Sequence, residues 1–530
     1  METPSLWSPL SIPAFRTLWI AFMAESICSW LLDMTNGWVM TSVSPSPAIV
    51  ALVQTASLSP ILLFALPSGA LSDILNRKTI LLCVEGCLAI VTAALAALVY
   101  FHLLSAWLLL LFIFINGAAF SFAEPVWQTV QAEVVPPAQQ PAAFLLSGLA
   151  MNMARGVGPA LAGVLLATTA GAALSYGVTA LGFVIAFVAV FTWPATVPTA
   201  RYLSLERVVS ALIGGVRYAR NEPTLRIALA RVLSFVLFAS AFWAVAPLVG
   251  RRMVKLDAFE YGLWMAAFGT GAILGGYVMS KIATTVRLNV IVASNTAAMA
   301  IALCVIANYP NIWVAYLVMF VVGGVWMMTL GSFIMSVQTN VPSWLRGRAM
   351  AIYFMVFQGT MALAAAGWGM IAEHWSIRAE LQLAAAGLLL SLTTGIWWKL
   401  SLGHNAAQGV DGLFPFIPIS PLLETNSSAA LVTFDYQIRE TDRATFLGLM
   451  DLVRIIRERN GVGHWGIYED IAKPGSWREE FVVDSLTEME RIRQRTTTSD
   501  YALLQQVYAL HQGPGENPTI TRFVTPPPQA

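Results

Sequence analysis

Charge is scarce in this sequence. Asp, Glu, Lys and Arg make up 11% of its 530 residues, against about 25% in an ordinary soluble chain. That deficit excludes a soluble body throughout. A hydrophobic content of 57% and a mean hydropathy of +0.69 point to lipid as the main solvent. Cysteine is scarce too. Cys28, Cys83, Cys87 and Cys304 fall in apolar runs with no flanking His and no CxxC spacing. They read as small apolar side chains, not as metal ligands or disulfide partners. The net charge is +1 and no basic patch stands out, so no nucleic-acid partner is expected. No phosphate-cradling glycine loop appears, so neither ATP nor another cofactor is expected. The N-terminal segment lacks a basic region and a small-residue cleavage site, so no removable signal peptide is expected.

The charges are unevenly spread, with 34 in residues 1–430 and 25 in residues 431–530. The first part is read in units of about 20 apolar residues, the length that crosses a bilayer. Spans are predicted near 15–41, 48–71, 79–100, 104–130, 142–167, 171–193, 224–250, 258–281, 288–308, 312–338, 346–372 and 380–400. The predicted fold class is therefore an α-helical membrane protein of twelve spans in two six-helix halves, residues 1–193 and 224–400. A charged connector covers 194–223. With the N-terminus inside, the inner segments hold 13 Lys/Arg and the outer loops four, Arg251, Arg252, Lys255 and Arg378. This favours cytoplasmic termini, with Arg251, Arg252 and Lys255 as a local exception.

Residues 401–430 read as a Gly/Pro/Ser-containing linker. Residues 431–530 return to soluble composition and alternate in the order strand (431–438), helix (442–459), strand (462–469), strand (477–484), helix (486–510), strand (518–524). That βαββαβ order is ferredoxin-like, and about a hundred residues suffice for an independent core.

The halves carry signs of duplication. The second and eighth spans end at Gly69 and Gly275, and Pro136 and Pro342 follow the fourth and tenth, both at an offset of 206. Duplicated halves characterise transporters that rock around a midplane site.

Six ionisable side chains fall inside spans: Glu25, Asp33, Glu85, Glu124, Arg155 and Arg231. Each is costly in lipid and so a functional candidate. Glu25 and Asp33 share the first helix, about 12 Å apart along its axis. Either is a candidate proton carrier or a wetted helix-end carboxylate. Glu124, Gln128 and Gln131 share one helix face, and Asn152 and Arg155 share another. Arg155 cannot lose its proton, so a Glu124–Arg155 pair is expected, either as a proton-sensitive switch or as a permanent structural pair. Arg231 is a second intramembrane cation or one that snorkels to the surface. Gly148, Gly156, Gly158, Pro159 and Gly163 punctuate the fifth span, suggesting close and mobile helix packing or a static glycine-rich seam. Asp73, Arg77 and Lys78 lie in the short second connection, where an acid–base latch is possible.

These motifs resemble the major facilitator superfamily. Gly69-Ala-Leu-Ser-Asp73-Ile-Leu-Asn-Arg77-Lys78 is similar to its G-x-L-a-D-r-x-G-R-K/R loop, with Asn76 in place of the usual Gly. Gly148 through Gly163 is similar to the glycine-proline antiporter motif of exporters. Trp30 to Met40, Pro125 to Gln128, and Val337 to Arg348 resemble, within the superfamily, the transmembrane secretion effector group that includes enterobactin-exporter-like proteins. The resemblance implies gating roles for Gly69, Asp73, Arg77, Lys78, Arg346 and Arg348. The residues after Arg457 resemble a cytoplasmic extension of some members, similar to dimeric ferredoxin-like monooxygenase-type domains. His464, Trp465 and Tyr468 are candidate pocket residues there, in a module expected to self-associate or regulate, not to catalyse.

The expected activity is that of a transporter, not an enzyme: a proton-coupled exporter of small amphipathic molecules (siderophores, drugs or other secondary metabolites) in a bacterial inner membrane. Its partners would be the substrate, protons and lipid. The alternatives are an importer on the same scaffold and a membrane-tethered enzyme or sensor acting through residues 431–530.

Overall fold

A computed structural model describes residues 7–74, 76–194, 220, 222–283, 285–341, 346–402, 430–460, 462, 464–483, 492, 498–513 and 517–524. Among these residues twelve helices are long and apolar enough to cross a membrane. They are α1 (Pro13–Val43), α2 (Pro47–Ile74), α3 (Arg77–Tyr100), α4 (Ala106–Glu133), α5 (Gln140–Leu166) and α6 (Gly171–Thr192), followed by α7 (Pro223–Leu248), α8 (Ala258–Ile282), α9 (Leu288–Asn308), α10 (Ile312–Asn340), α11 (Arg346–His374) and α12 (Ile377–Ser391). The last continues as a single turn, Thr394–Trp397. The connector at 195–219 and most of the linker, 403–429, lie outside the described residues.

Polar side chains set the helix starts. Ser105 accepts the Leu108 N–H, Ser376 accepts the Ala379 N–H, and Asp257 and Glu260 form a reciprocal capping box. Each satisfies a backbone donor that a helix start leaves free. Asn76 accepts the Lys78 N–H with φ at −64°, so the position where a glycine was expected serves as an N-cap and needs no left-handed backbone. α7 ends differently. A wide π turn, Val249–Val254, follows it, and Lys255 closes the turn with φ at +65°. The turn carries Arg251 and Arg252.

The C-terminal unit contains strands β1 (Ala430–Gln437), β2 (His464–Glu469), β3 (Ser476–Val483) and β4 (Thr519–Val524), with α13 (Arg443–Asn460) between β1 and β2 and α14 (Thr498–Tyr508) between β3 and β4. The expected helix at 486–510 is described only from Thr498. The sheet is antiparallel in the order β2-β3-β1-β4. Alternation along β1 turns Val432, Phe434 and Tyr436 towards a core shared with Phe446, Met450 and Val453 of α13 and Leu504 and Val507 of α14. This is the period-2 pattern of a half-buried strand meeting the 3.6 period of a helix.

One ion pair sits inside that core. The Arg457 Nε donates to Glu479 Oε1 at 2.9 Å, and the pair is almost completely buried. Tyr436 Oη donates to Glu479 Oε2 and Trp465 Nε1 to Oε1, both at 3.0 Å. The guanidinium lies 5.0 Å over the Phe434 ring and 4.8 Å over that of Phe481. Glu479 is thus bonded at both oxygens, the condition under which a buried charge is tolerable. Removing one partner should cost far more than removing both. Glu479→Ala is expected to destabilise this unit by about 3–5 kcal/mol, whereas Glu479→Leu combined with Arg457→Met should recover most of the loss. Hydrogen exchange of the β1 and β3 amides in the full chain measures both.

Candidate functional site

Close backbone approach between the two halves organises the membrane part. A Cβ placed on Gly269 of α8 would meet the Gly156 Cα of α5 at 2.8 Å, and one on Gly262 would meet the Gly163 Cα at 2.6 Å. Both contacts recur after seven residues, running in opposite directions along the two helices. A seven-residue repeat keeps one face of each helix on the seam. The antiporter-like glycines therefore divide their work. Gly163 faces α8, whereas Gly156 offers α8 only its Cα and has open space where a Cβ would stand. Gly158 faces α1, where a Cβ would strike Trp30 and the Ile27 carbonyl. Gly148 has open space beside it. Pro159 is buried and its carbonyl meets Gly262. The partner glycines on α8 went unnoticed in sequence; their own seven-residue spacing was the available signal.

Further contacts between the halves gather at the end of the bundle holding the α1–α2 and α7–α8 connections. Gly37 abuts Pro247, and Gly369 abuts Ala48 and Ala51. Arg251 donates to Thr41 Oγ1 at 2.8 Å and to Ser42 Oγ, and lies 5.2 Å over the Trp38 ring. Arg252 donates to the Pro45 carbonyl at 2.7 Å. In the other direction, Glu373 of α11 accepts from Ser46 Oγ at 2.6 Å and from the Ala48 N–H at 3.0 Å, so it caps α2 from the opposite half. The basic cluster that broke the charge rule is thus a latch across the halves.

At the other end, Arg77 pairs with Glu133, the last residue of α4. Lys78 Nζ donates to the Phe191 and Trp193 carbonyls, both at 2.7 Å, a cation on the C-terminus of α6 where the helix dipole favours it. Both contacts stay inside the N-terminal half. The side chains of Gly69 and Asp73 lie outside the described ones. At the start of α11, Arg346 is exposed and Arg348 half-buried.

The intramembrane carboxyls fall into two environments. Glu25 on α1 and Glu85 on α3 are buried, at 5% and 0% exposure. Glu25 lies within electrostatic reach of both Glu85 and Glu124. Neither Glu85 oxygen has a hydrogen-bond partner, and the likewise unpartnered indole N–H of the buried Trp127 is turned towards it. The sequence marks Glu85 as one of six intramembrane candidates but does not show that α1, α3 and α4 bring it to Glu25 and Trp127. Asp33 and Glu124, by contrast, have exposed side chains.

The expected Glu124–Arg155 pair is not formed. Arg155 instead lies 5.3 Å over the Trp30 ring, with its NH1 3.6 Å from the Met327 sulfur of α10. Asn152 Nδ2 donates back to the Gly148 carbonyl at 2.8 Å. The Gln128 side chain lies outside those described. Gln131 accepts from Ser147 of α5. Arg231 is 4% exposed and donates to Thr394 Oγ1 at 2.8 Å, so it ties α7 to the end of the last span. On the C-terminal side, Trp243, Phe268, Trp326 and Phe357 form a chain of ring contacts.

A sequence model of the transmembrane secretion effector family matches residues 4–528. The chain belongs to this family. It is a multi-pass membrane transporter of the major facilitator fold. It is similar to the multidrug efflux pump Tap of Mycolicibacterium fortuitum, with 24% identity over 346 residues, 63% of this chain and 82% of that protein. Among solved structures it resembles a bacterial homologue of the human lysosomal transporter Spinster in an inward-facing, occupied conformation (TM-score 0.60, 13% identity, 73% of this chain and 97% of that one). It also resembles the nucleoside transporter NupG (TM-score 0.59, 15% identity, 73% and 100%) and the peptide-family transporter PepTSo (TM-score 0.58, 12% identity, 72% and 97%).

Two outcomes follow from this geometry. Gly262→Val places a branched side chain against a backbone and should cost about 1–3 kcal/mol in overpacking, read as an increased α5–α8 distance between spin labels at that end. Replacing Arg251 and Arg252 together by Ala removes charge-assisted hydrogen bonds worth about 1.5–3 kcal/mol each. A cysteine at Ser46 should then react at least tenfold faster with a water-soluble maleimide than in the otherwise unchanged chain.

Proposed function

We propose that the transmembrane secretion effector chain is a secondary-active exporter. It carries small amphipathic molecules out of a bacterial cell in exchange for protons, by alternating access between halves 1–193 and 224–400. The termini are cytoplasmic, which makes the latched end the extracellular one and the conformation described here inward-facing. The connector 194–223, the linker 401–430 and the domain 431–530 are cytoplasmic, and the last offers a surface for self-association.

The observation that carries this reading is the layer of carboxyls on α1, α3 and α4. Glu85 is fully buried, neither oxygen accepting a well-formed hydrogen bond among the described residues although the Trp127 indole N–H is turned towards it, beside Glu25 and the open Glu124. An ionised carboxylate left there without a partner would cost several kcal/mol. Such a group takes up and releases protons as water reaches it from alternate sides. Glycine-to-glycine contacts running from the middle of α5 and α8 to one end supply the motion, because helices that meet backbone to backbone separate without unlocking interdigitated side chains. The efflux activity named for the similar pump Tap favours export, and the Trp30 ring and Met327 sulfur beside Arg155 suit an amphipathic cargo.

Purified protein in liposomes should concentrate a lipophilic fluorescent dye when a pH gradient is imposed. Glu85→Gln and Glu25→Gln should each reduce gradient-driven transport at least tenfold while leaving dye-for-dye exchange intact. Saturable transport indifferent to the gradient in the unchanged protein overturns proton antiport. Lower dye content in cells lacking the gene overturns export.

A further inference from the structure

The site contains one group whose charge cannot be switched off. Arg155, Trp30 and Met327 all lie near the midpoints of their helices, α5, α1 and α10, so they meet at the middle of the membrane. The Arg155 side chain is half-exposed, although its Nε is buried without a hydrogen-bond partner. Its contacts are soft: a thioether sulfur at 3.6 Å and the face of an indole at 5.3 Å. Among the described residues no carboxylate forms an ion pair with it. The other intramembrane arginine, Arg231, is engaged by Thr394.

The carboxyls nearby can become neutral by taking a proton. A guanidinium in a protein cannot. Whatever the protonation of Glu25, Asp33, Glu85 and Glu124, the fixed charge at the midplane is therefore positive. A guanidinium presents five N–H donors, and only one is used here, on a weak acceptor. A sulfur and a ring face shield such a cation without satisfying it, and an incoming anion displaces them readily. An oxyanion would form the short, charge-assisted, bidentate bonds that guanidinium geometry favours. The half-buried indole beneath Arg155 provides apolar surface for the rest of the molecule.

We propose that Arg155 anchors the substrate by its negative group, and that this transporter carries aromatic or apolar organic anions bearing a carboxylate, sulfonate or phosphate. This rests on the transport reading above and specifies the cargo of the same site. The competing arrangement has Arg155 as an internal counter-ion that passes to Asp33, one helical turn from Trp30, in another conformation.

Binding separates the two. The full chain in lipid nanodiscs is titrated with three naphthalene probes of one shape: 1-naphthaleneacetate, 1-naphthalenemethanol and 1-naphthylmethyl-trimethylammonium. Quenching of tryptophan fluorescence reports occupancy. The anion should bind at least tenfold more tightly than the cation or the alcohol. Arg155→Met should abolish that preference, and Arg155→Lys should restore part of it. Arg155→Gln with an unchanged melting temperature excludes a folding defect as the cause.

Equal affinity for the three probes, no saturable anion binding, or an anion preference that survives Arg155→Met overturns the proposal. So does recovery of Arg155→Met by Asp33→Asn, the signature of an internal counter-ion. The transport reading fails on a different readout. Proton-driven movement of the cation, unaffected by Arg155→Met, would sink the anion anchor and leave the exporter standing. Anion-selective binding without gradient-driven transport would do the reverse.

Discussion

Backbone pressed against backbone is the contact on which the membrane part depends. Where Gly156 meets Gly269 and Gly163 meets Gly262, no side chain stands between the helices. Lipid provides no hydrophobic drive for two helices to associate, so packing and polar contacts must hold them together. Dispersion between closely apposed backbones is individually small and collectively useful. It also leaves nothing to unlock when the seam opens. The latch where that seam reaches the end of the bundle adds what glycines lack, directed hydrogen bonds donated by Arg251 and Arg252 and accepted by Glu373. Specific bonds over a weakly adhesive seam suit the two discrete states that the proposed alternating access requires.

The interior polar groups make sense against that background. Glu25 and Glu85 are buried within the N-terminal half, whereas Asp33, Glu124 and Arg155 reach open or partly open space. The two kinds of charge have different duties. Carboxyls can exchange protons, and the arginine can only change partners.

Much of the fold was legible because membrane helices obey a single strong rule: backbone groups must be satisfied within the span. Eleven of the twelve helices end within about three residues of the predicted position, since hydropathy and polar caps such as Ser105 mark the limits; the twelfth stops at Ser391, nine residues short of the predicted 400, and continues only as the turn Thr394–Trp397. The C-terminal sheet was readable from alternation along β1. What escaped were relations between helices. A spacing of three or four places Glu124 with Gln128 on one face, but says nothing of which neighbour that face meets. The Glu124–Arg155 pair failed for that reason, and the approach of Glu85 to Glu25 escaped for the same one. Arg251 and Arg252 stood out as an exception to a statistical rule about translocation, and their role lay in contacts with Thr41, Ser42 and Pro45, more than two hundred residues away.

The π turn after α7 bears on how that latch came to lie where it does. A π turn holds one residue more than an α turn of the same hydrogen-bonded reach, and each residue of an α-helix advances the azimuth by about 100°. The additional residue in Val249–Val254 therefore sets the direction in which Arg251 and Arg252 emerge independently of the phase of the helix below. A lineage could keep the packing of α7 unchanged and still lose or regain its latch by deleting or inserting a single codon there.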